Sequence, residues 1–501
     1  MRRSHRTQSG LPIRAILAAA IAAAIPALAS PAVLGADGGR PGRSGAIATE
    51  NGLPGTRSWL IAHPRPSAIA AYTDAPSYLP GAAVHLFVDS HDGSFSYAVY
   101  RMGWYGGRGG RQMLAGTGPG VRQPPPRIVD DRPGGAKLLL LDWSSRASFR
   151  IPARWLSGFY VIRLRRELDG AQSYASFVLR SRSPGAVVVS LATTTWQAYN
   201  TWGGLSLYRD LRLPRPHQFD RTLVAHEVSA RRPYAQGYGA GDFFRYDRPL
   251  LEWLEREGYP VTYATDLDAS RGRLTGRRTR IVVLSGHAEY QDAAARAYYA
   301  RMLKRGVSLA LLGGNDFAWH ARLRADDQVI SVWRTRPLDP RSGAEATIRW
   351  TTLGRPPSQL SGVMPVLGRP GVLHVVGGNS WPWDGVGEGA ALGRVLGGEY
   401  DGKSTDSPNP DGLRVLAEAR VPGARRAVTW TIARPTPASF VFSGSELGFN
   451  WQLARPQLTS PAWIDASAPP GSARDYPRRS VVQPRVQRLV AALLRRALQA
   501  R

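Results

Sequence analysis

A chain of 501 residues with 43% hydrophobic residues, 15 Trp and 19 Tyr is too long for one ordinary core and too apolar to be disordered, so two domains with tails are expected. It has no cysteine, which excludes disulfides, thiolate metal sites and a cysteine nucleophile. A net charge of +28 invites a nucleic-acid reading, but the arginines are scattered through every segment and lysine occurs only at Lys137, Lys304 and Lys403; no specific nucleic-acid partner is expected, and an anionic envelope surface suits such a diffuse field better.

Residues 1–29 read as an export signal: Arg2, Arg3 and Arg6 precede an apolar run from Ala15 that closes on Ala27-Leu28-Ala29. A periplasmic, cell-envelope or extracellular protein follows from this, by either the general or the twin-arginine route; an uncleaved anchor is the alternative. Residues 30–60 are rich in Gly, Pro and Ser and read as a flexible segment, with order starting near Trp59. Residues 61–182 carry the period-two segments AVHLFVDS, FSYAVYRM, ASFRIPA, FYVIRLRREL and SYASFVLRS, each bounded by turn residues, the pattern of an Ig-like β-sandwich. Between them GWYGGRGGRQ, Gly103 to Gln112, reads either as a surface packed over a neighbouring site or as a turn whose aromatics fill the core.

From Ser183 the pattern changes. AVVVSLA, PVTYATD, IVVLSG and VSLALLGG are short strands alternating with helices, one capped by Asp247 with Pro249 and Gly258 at its ends, another running over DAAARAYYARMLKRG with Tyr298, Met302 and Leu303 inward. This order predicts a doubly wound α/β domain over residues 183–470, with LHVVGG and SFVFSG extending the sheet and a loop-rich insertion around 325–440. The tail 471–501 ends in a basic amphipathic helix with Val486, Leu489, Leu493 and Leu494 on one face, which either lies on a membrane surface or docks on its own domain.

Chemistry is sought at the carboxyl ends of the strands, where open α/β sheets bind ligands. The three best strands are followed by Tyr199 and Asn200, by His287 and Glu289, and by Asn315 and Asp316. A covalent nucleophile is not expected, since Ser285 lacks a G-x-S-x-G setting. An imidazole, a carboxylate and a phenolate from neighbouring turns would instead supply three metal ligands and leave positions open, and hard oxygen donors favour trivalent iron. The plainer reading, in which His287 caps the next helix and Glu289 sits in its first turn, stays open at this point.

YRMGWYGGRGGR, TTTWQAYNTWGG, GAGDFFRYDRPLLEWLEREGYPVTYATDLD, SGHAEYQ and LLGGNDFAW follow one another as in proteins similar to the large (beta) subunit of N,N-dimethylformamidase, in its C-terminal region; the resemblance covers roughly residues 75 to 455. It implies a β-sandwich followed by a glutamine-amidotransferase-like α/β domain and a mononuclear iron (Fe3+) hydrolysing a formamide. Position by position it implies Tyr199, His287 and Glu289 as iron ligands, Asn315 as the substrate-orienting asparagine and Glu446 in FSGSELGFNW as a further catalytic glutamate. GHAEY departs from the family's GHDEYW, placing Ala288 between the ligands and Gln291 after Tyr290, which bears on pocket electrostatics and substrate. The family's large subunit is also longer at its N-terminus and works with a small partner subunit.

The expectation is therefore an exported metal-dependent amidohydrolase acting on a small amide, with a small subunit or a second copy as protein partner. Trp196, Trp202 and Phe317 stand near enough to wall the pocket or to fill the core. Two rivals are a non-catalytic envelope or polysaccharide-binding protein that keeps the fold, and a metal oxygenase using the same three ligands.

Overall fold

The period-two segments form strands because alternate residues have an apolar layer to face. They are β1 (Ile69–Thr73), β2 (Ser77–Tyr78), β3 (Ala83–Ser90), β4 (Ser94–Met102), β5 (Gly110–Pro119), β6 (Ser145–Arg150), β7 (Gly158–Arg166) and β8 (Gln172–Leu179). Two sheets result, in the orders β1-β3-β6 and β2-β8-β7-β4-β5. Val84, Leu86 and Val88 of β3 pack with Phe95, Tyr97 and Val99 of β4 and Tyr160, Ile162 and Leu164 of β7 in one core. The computed structural model describes residues 45–91, 93–324, 328–454 and 481–500. The export signal read at 1–29, the first part of the 30–60 segment and the start of the 471–501 tail lie outside the described residues.

The second face of the larger sheet is also covered. Tyr100, Met102, Phe159, Val161 and Tyr174 share a core with the α/β layer that follows. Order begins before Trp59: within the segment read as flexible, Ala46–Asn51 form a short helix, α1, whose Glu50 accepts hydrogen bonds from Tyr105 and Arg111. The glycine-rich loop after β4 packs over this helix and α3 (Arg248–Arg256), with Tyr105 buried, rather than over the cluster of Tyr199 and His287. Beneath it Arg101 and Glu255 form a fully buried ion pair, Nη2 to Oε1 2.7 Å, that ties β4 to α3. A Cβ at Gly103 would lie 2.5 Å from Glu255 Oε2, so the chain can pass there only as glycine.

The α/β layer is built on a nine-stranded sheet: β9 (Val187–Leu191), β10 (Val261–Thr265), β11 (Ile281–Gly286), β12 (Ser308–Gly313), β13 (Val372–Val375), β14 (Ala391–Arg394), β15 (Arg414–Ala419), β16 (Val428–Thr436) and β17 (Ser439–Ser443). Their order is β10-β9-β11-β12-β17-β16-β15-β13-β14, parallel from β10 to β17 and antiparallel beyond. Two alternating sets of side chains fill two layers. Val187, Val189, Ile281, Val283 and Leu312 face α3 and the C-terminal helix Pro484–Gln499, while Val188, Val282, Leu284, Leu309 and Leu311 face the helix Ala293–Lys304. Helices thus cover both faces, as the uninterrupted apolar runs required.

Several local expectations change. Asp247 makes no capping hydrogen bond, because a π turn over Phe243–Asp247 precedes α3 and carries the helical backbone upstream. In Ala293–Lys304 it is Tyr299, with Met302 and Leu303, that turns inward, and Asp292 caps the helix by accepting from the Ala295 N–H at 2.8 Å. Within 325–440, read as a loop-rich insertion, LHVVGG forms β13 as expected, and three further strands, β14, β15 and β16, join the sheet from segments that were not singled out. The C-terminal helix docks on its own sheet through Val486, Leu489, Val490, Leu493 and Leu494, all buried.

Candidate metal centre

Because β9, β11 and β12 are neighbouring parallel strands, the turns after them meet along one sheet edge. Helix α2 (Thr193–Tyr199) follows β9 and ends on Tyr199. Its carboxyl end is clamped by the buried Arg232, whose guanidinium donates to the carbonyls of Gln197 (3.1 Å), Asn200 (3.0 Å) and Leu205 (2.9 Å). After β11, Gly286 at φ 72° turns the chain and presents His287 and Glu289. After β12, Asn315 and Phe317 both take positive φ, which aims the Asn315 side chain back across the edge.

The result is a tight cluster. The Tyr199 and His287 rings lie 5.5 Å apart. His287 Nε2 stands 3.6 Å from Glu289 Oε2 and 3.1 Å from Glu399 Oε2. Asn315 Nδ2 donates to Glu399 Oε2 at 2.8 Å and to Glu289 Oε1 at 3.3 Å. Asp316 Oδ1 accepts from the Ala288 N–H at 2.9 Å and fixes the turn between His287 and Glu289; Asp401 Oδ2 accepts from the Asn315 N–H at 2.7 Å. The side chains of His287 and Glu289 are buried, whereas that of Glu399 is 37% exposed and marks the open side.

Glu399 was not singled out in the sequence, because it lies in the irregular stretch before β15 with no periodic signal around it. Its approach depends on Gly314, where a Cβ would meet the Glu399 carbonyl oxygen at 2.8 Å and the Leu447 nitrogen at 2.9 Å. Tyr208 and Tyr290 also escaped notice and join the cluster from below. Glu446, in contrast, is held elsewhere: its carboxylate accepts from the Leu396 N–H and from Gln452 Nε2, each at 2.6 Å. Among the described residues no hydrogen bond links it to His287, Glu289 or Asn315. Trp196 and Phe317 are core residues, and Trp202 packs edge-on against Trp143, so none of the three is simply a pocket wall.

Electrostatics separate these groups. Burial, reinforced by the Glu289 carboxylate, pushes the Tyr199 phenol well above its ordinary range. Burial also raises Glu289, against the pull of His287. For His287 burial opposes the charge, but Glu399, Glu289 and Asp316 outweigh it and lift the imidazole to about 9. Glu399 moves the other way: burial is overcome by His287 and Asn315, which hold it below the usual carboxylate range. Burial takes Glu446 to about 8.

Phenol, imidazole and carboxylate side by side form a donor set for a hard cation. His287 Nε2 is buried with no well-aligned hydrogen bond, and a phenol in so anionic a setting ionises only beside strong positive charge. Among the described residues no three His, Cys, Asp or Glu side chains form a metal-holding group, and the Tyr199 phenol is a further oxygen donor beside His287 and Glu289. The residues fit the group that the resemblance implied.

A family model described as N,N-dimethylformamidase beta subunit-like, C-terminal, matches residues 96–462. The chain belongs to this N,N-dimethylformamidase beta subunit-like family. Every residue of the cluster falls inside the matched span. Among curated relatives, the N,N-dimethylformamidase beta subunit of an Alcaligenes species is 24% identical over 35% of this chain and 28% of its own length, so the match spans little more than a quarter of that protein. Among solved structures, murine CEACAM1b shares 13% identity over 24% of this chain and 62% of its own, with a TM-score of 0.14, a likeness too slight to bear on the fold.

Proposed function

We propose that this dimethylformamidase-like chain is an exported metal-dependent hydrolase of a carbon–nitrogen amide bond, with Tyr199, His287 and Glu289 as ligands of a mononuclear Fe3+. The single observation that carries this reading is the meeting of those three side chains at one sheet edge beside Asn315 and Glu399. Bound there, the iron would polarise the amide carbonyl and lower the pKa of a water. Asn315, its Nδ2 held between two carboxylates, orients the amide. Glu399, partly exposed and beside His287, takes the proton of the attacking water and returns it to the departing amine. Glu446, matched to that proton-carrying role by sequence, is assigned to bracing the turn after β17, since both its oxygens are engaged there.

The Ig-like and glutamine-amidotransferase-like descriptions of the two layers, a small amide as substrate, a small subunit or second copy as partner, and contact with an anionic envelope surface all belong to this reading. Each rests on the resemblance or on the sequence. A metal oxygenase would use the same ligands and would consume oxygen with substrate. A non-catalytic envelope protein would need none of them.

The test is iron content with a visible spectrum of the purified chain, beside Tyr199→Phe, followed by an amide panel. Stoichiometric iron with a phenolate-to-iron band that vanishes in the variant, and amine release without oxygen uptake, are expected. A chain that takes up no iron on reconstitution, or a spectrum indifferent to Tyr199, would overturn the reading.

A further inference from the structure

The main sheet has a second concavity on the edge opposite the candidate metal centre. Strands β12 and β17 are parallel neighbours, so their beginnings at Ser308 and Ser439 lie on the edge away from Asn315. There the turn between β16 and β17 and the last turn of the helix Pro484–Gln499 border a cleft of about 330 Å³. Two arginines line it from different elements, Arg434 from β16 and Arg496 from the helix, with Gln499 beside them. Pro437, Ala438 and Phe440 supply an apolar side.

Among the described residues, neither Arg434 nor Arg496 has a carboxylate at ion-pair distance or an acceptor for its N–H groups. Arg434 is held by its flat face instead, 5.0 Å from the centre of the Trp381 ring. Arg414, which donates to the Trp381 carbonyl at 3.0 Å, adds a third positive charge nearby. Burial, and then the charges of Arg496 and Arg414, pull the Arg434 guanidinium below its ordinary range. The helix dipole accounts for a cation in the last turn, at Arg496, but not for Arg434, which comes from a strand. Cations gathered without a counter-ion repel one another, and an anion entering between them turns that cost into attraction.

Guanidinium forks match the oxygens of carboxylates and phosphates. Two forks converging from separate elements suit phosphate better, because it offers more acceptor oxygens and up to two negative charges, where a carboxylate has two oxygens and one charge. The apolar side of the cleft suits the organic part of an ester.

We propose that this cleft binds the phosphate group of an organic phosphate ester, with Arg434 and Arg496 gripping its oxygens and Pro437, Ala438 and Phe440 flanking its organic part. A soluble phosphomonoester and a phospholipid headgroup present this same chemistry. The site stands on the far edge of the sheet from Tyr199 and does not depend on the metal reading.

The experiment measures the full chain by calorimetry with glycerol 1-phosphate and by co-sedimentation with phosphatidylglycerol vesicles, phosphatidylcholine vesicles serving as control. Wild type is compared with Arg434→Gln, Arg434→Lys, Arg496→Gln and Arg488→Gln, the last an exposed arginine of the same helix outside the cleft. Each glutamine variant of the cleft is expected to lose roughly tenfold or more in affinity. Arg434→Lys, which keeps the charge and loses the fork, should fall between. Arg488→Gln makes the same change in net charge and should stay within about twofold of wild type. Arg434 and Arg496 are exposed, so their variants are expected to fold, and circular dichroism checks this. Binding of glycerol 1-phosphate without vesicle retention assigns the cleft to soluble esters; retention on phosphatidylglycerol without binding of the soluble ester assigns it to a headgroup. No binding of either probe at low salt would overturn the proposal. Equal losses in Arg434→Gln, Arg496→Gln and Arg488→Gln would also overturn it, leaving diffuse surface charge only.

Discussion

Glu399 Oε2 lies 3.1 Å from Nε2 of His287, on the open side of the cluster of Tyr199, His287, Glu289 and Asn315, while both oxygens of Glu446 are engaged with Leu396 and Gln452. The two glutamates are therefore expected to respond differently to an isosteric change. Glu399→Gln should lower kcat by roughly 10²- to 10⁴-fold with iron still bound. Glu446→Gln should cost less than about tenfold in kcat and act mainly on thermal stability, since the loss of a buried hydrogen bond is worth about 1–3 kcal/mol. Steady-state kinetics with iron analysis distinguishes them, and a reversed ranking would return the catalytic role to Glu446.

Gly314 lets the segment carrying Glu399 pass close to the turn after β12. Gly314→Ala puts a methyl 2.8 Å from the Glu399 carbonyl oxygen and 2.9 Å from the Leu447 nitrogen, both backbone atoms that cannot rotate away. The expected outcome is a folded protein destabilised by about 1–3 kcal/mol, with activity lost out of proportion to stability. A thermal melt paired with an amide assay checks this.

His226 is buried against Trp333, ring centroids 4.6 Å apart, and neither ring nitrogen has a hydrogen-bond partner. Burial, with Arg334 adding to it, lowers its pKa from 6.5 to about 4. Between these values the unfolded chain binds a proton that the folded one does not, so the stability contribution is intact above about 6.5 and is lost as pH falls through about 4. His226→Phe should flatten the fall in Tm between pH 7 and pH 4.5, by an amount on the order of 1–3 kcal/mol at the acid end. Equal slopes in the two proteins would refute the assignment.

Arg101 and Glu255 are both fully buried, and each is the other's charge partner between the sandwich and α3. Arg101→Met or Glu255→Met alone leaves an uncompensated charge in the interior and should cost about 3–5 kcal/mol. The double variant Arg101→Met with Glu255→Met should recover part of that loss. Chemical denaturation of the three proteins measures it, and simple additivity would argue against the pair.

Much of the site is legible in the order of residues alone. A parallel sheet must bring the ends of neighbouring strands together, so the apolar runs ending at Leu191, Gly286 and Gly313 are enough to group Tyr199, His287, Glu289 and Asn315. What escapes are residues on segments without a period. Glu399 stands in a short, glycine-flanked stretch, and Tyr208 in a loop, and nothing local distinguishes such a glutamate or tyrosine from a solvated one.

Alternation and apolar run length are properties of consecutive residues, and they were enough to mark the sandwich strands and the parallel strands β9 to β12. The absence of cysteine likewise excluded thiol chemistry without reference to shape. Which of two glutamates faces His287, that Asp247 would not cap its helix, and that Ala391–Arg394, Arg414–Ala419 and Val428–Thr436 would join the main sheet were decided only in three dimensions. Each depends on what a distant segment places opposite the residue, such as the missing Cβ at Gly314 that admits Glu399, and that energy of contact is not carried by any local stretch of chain.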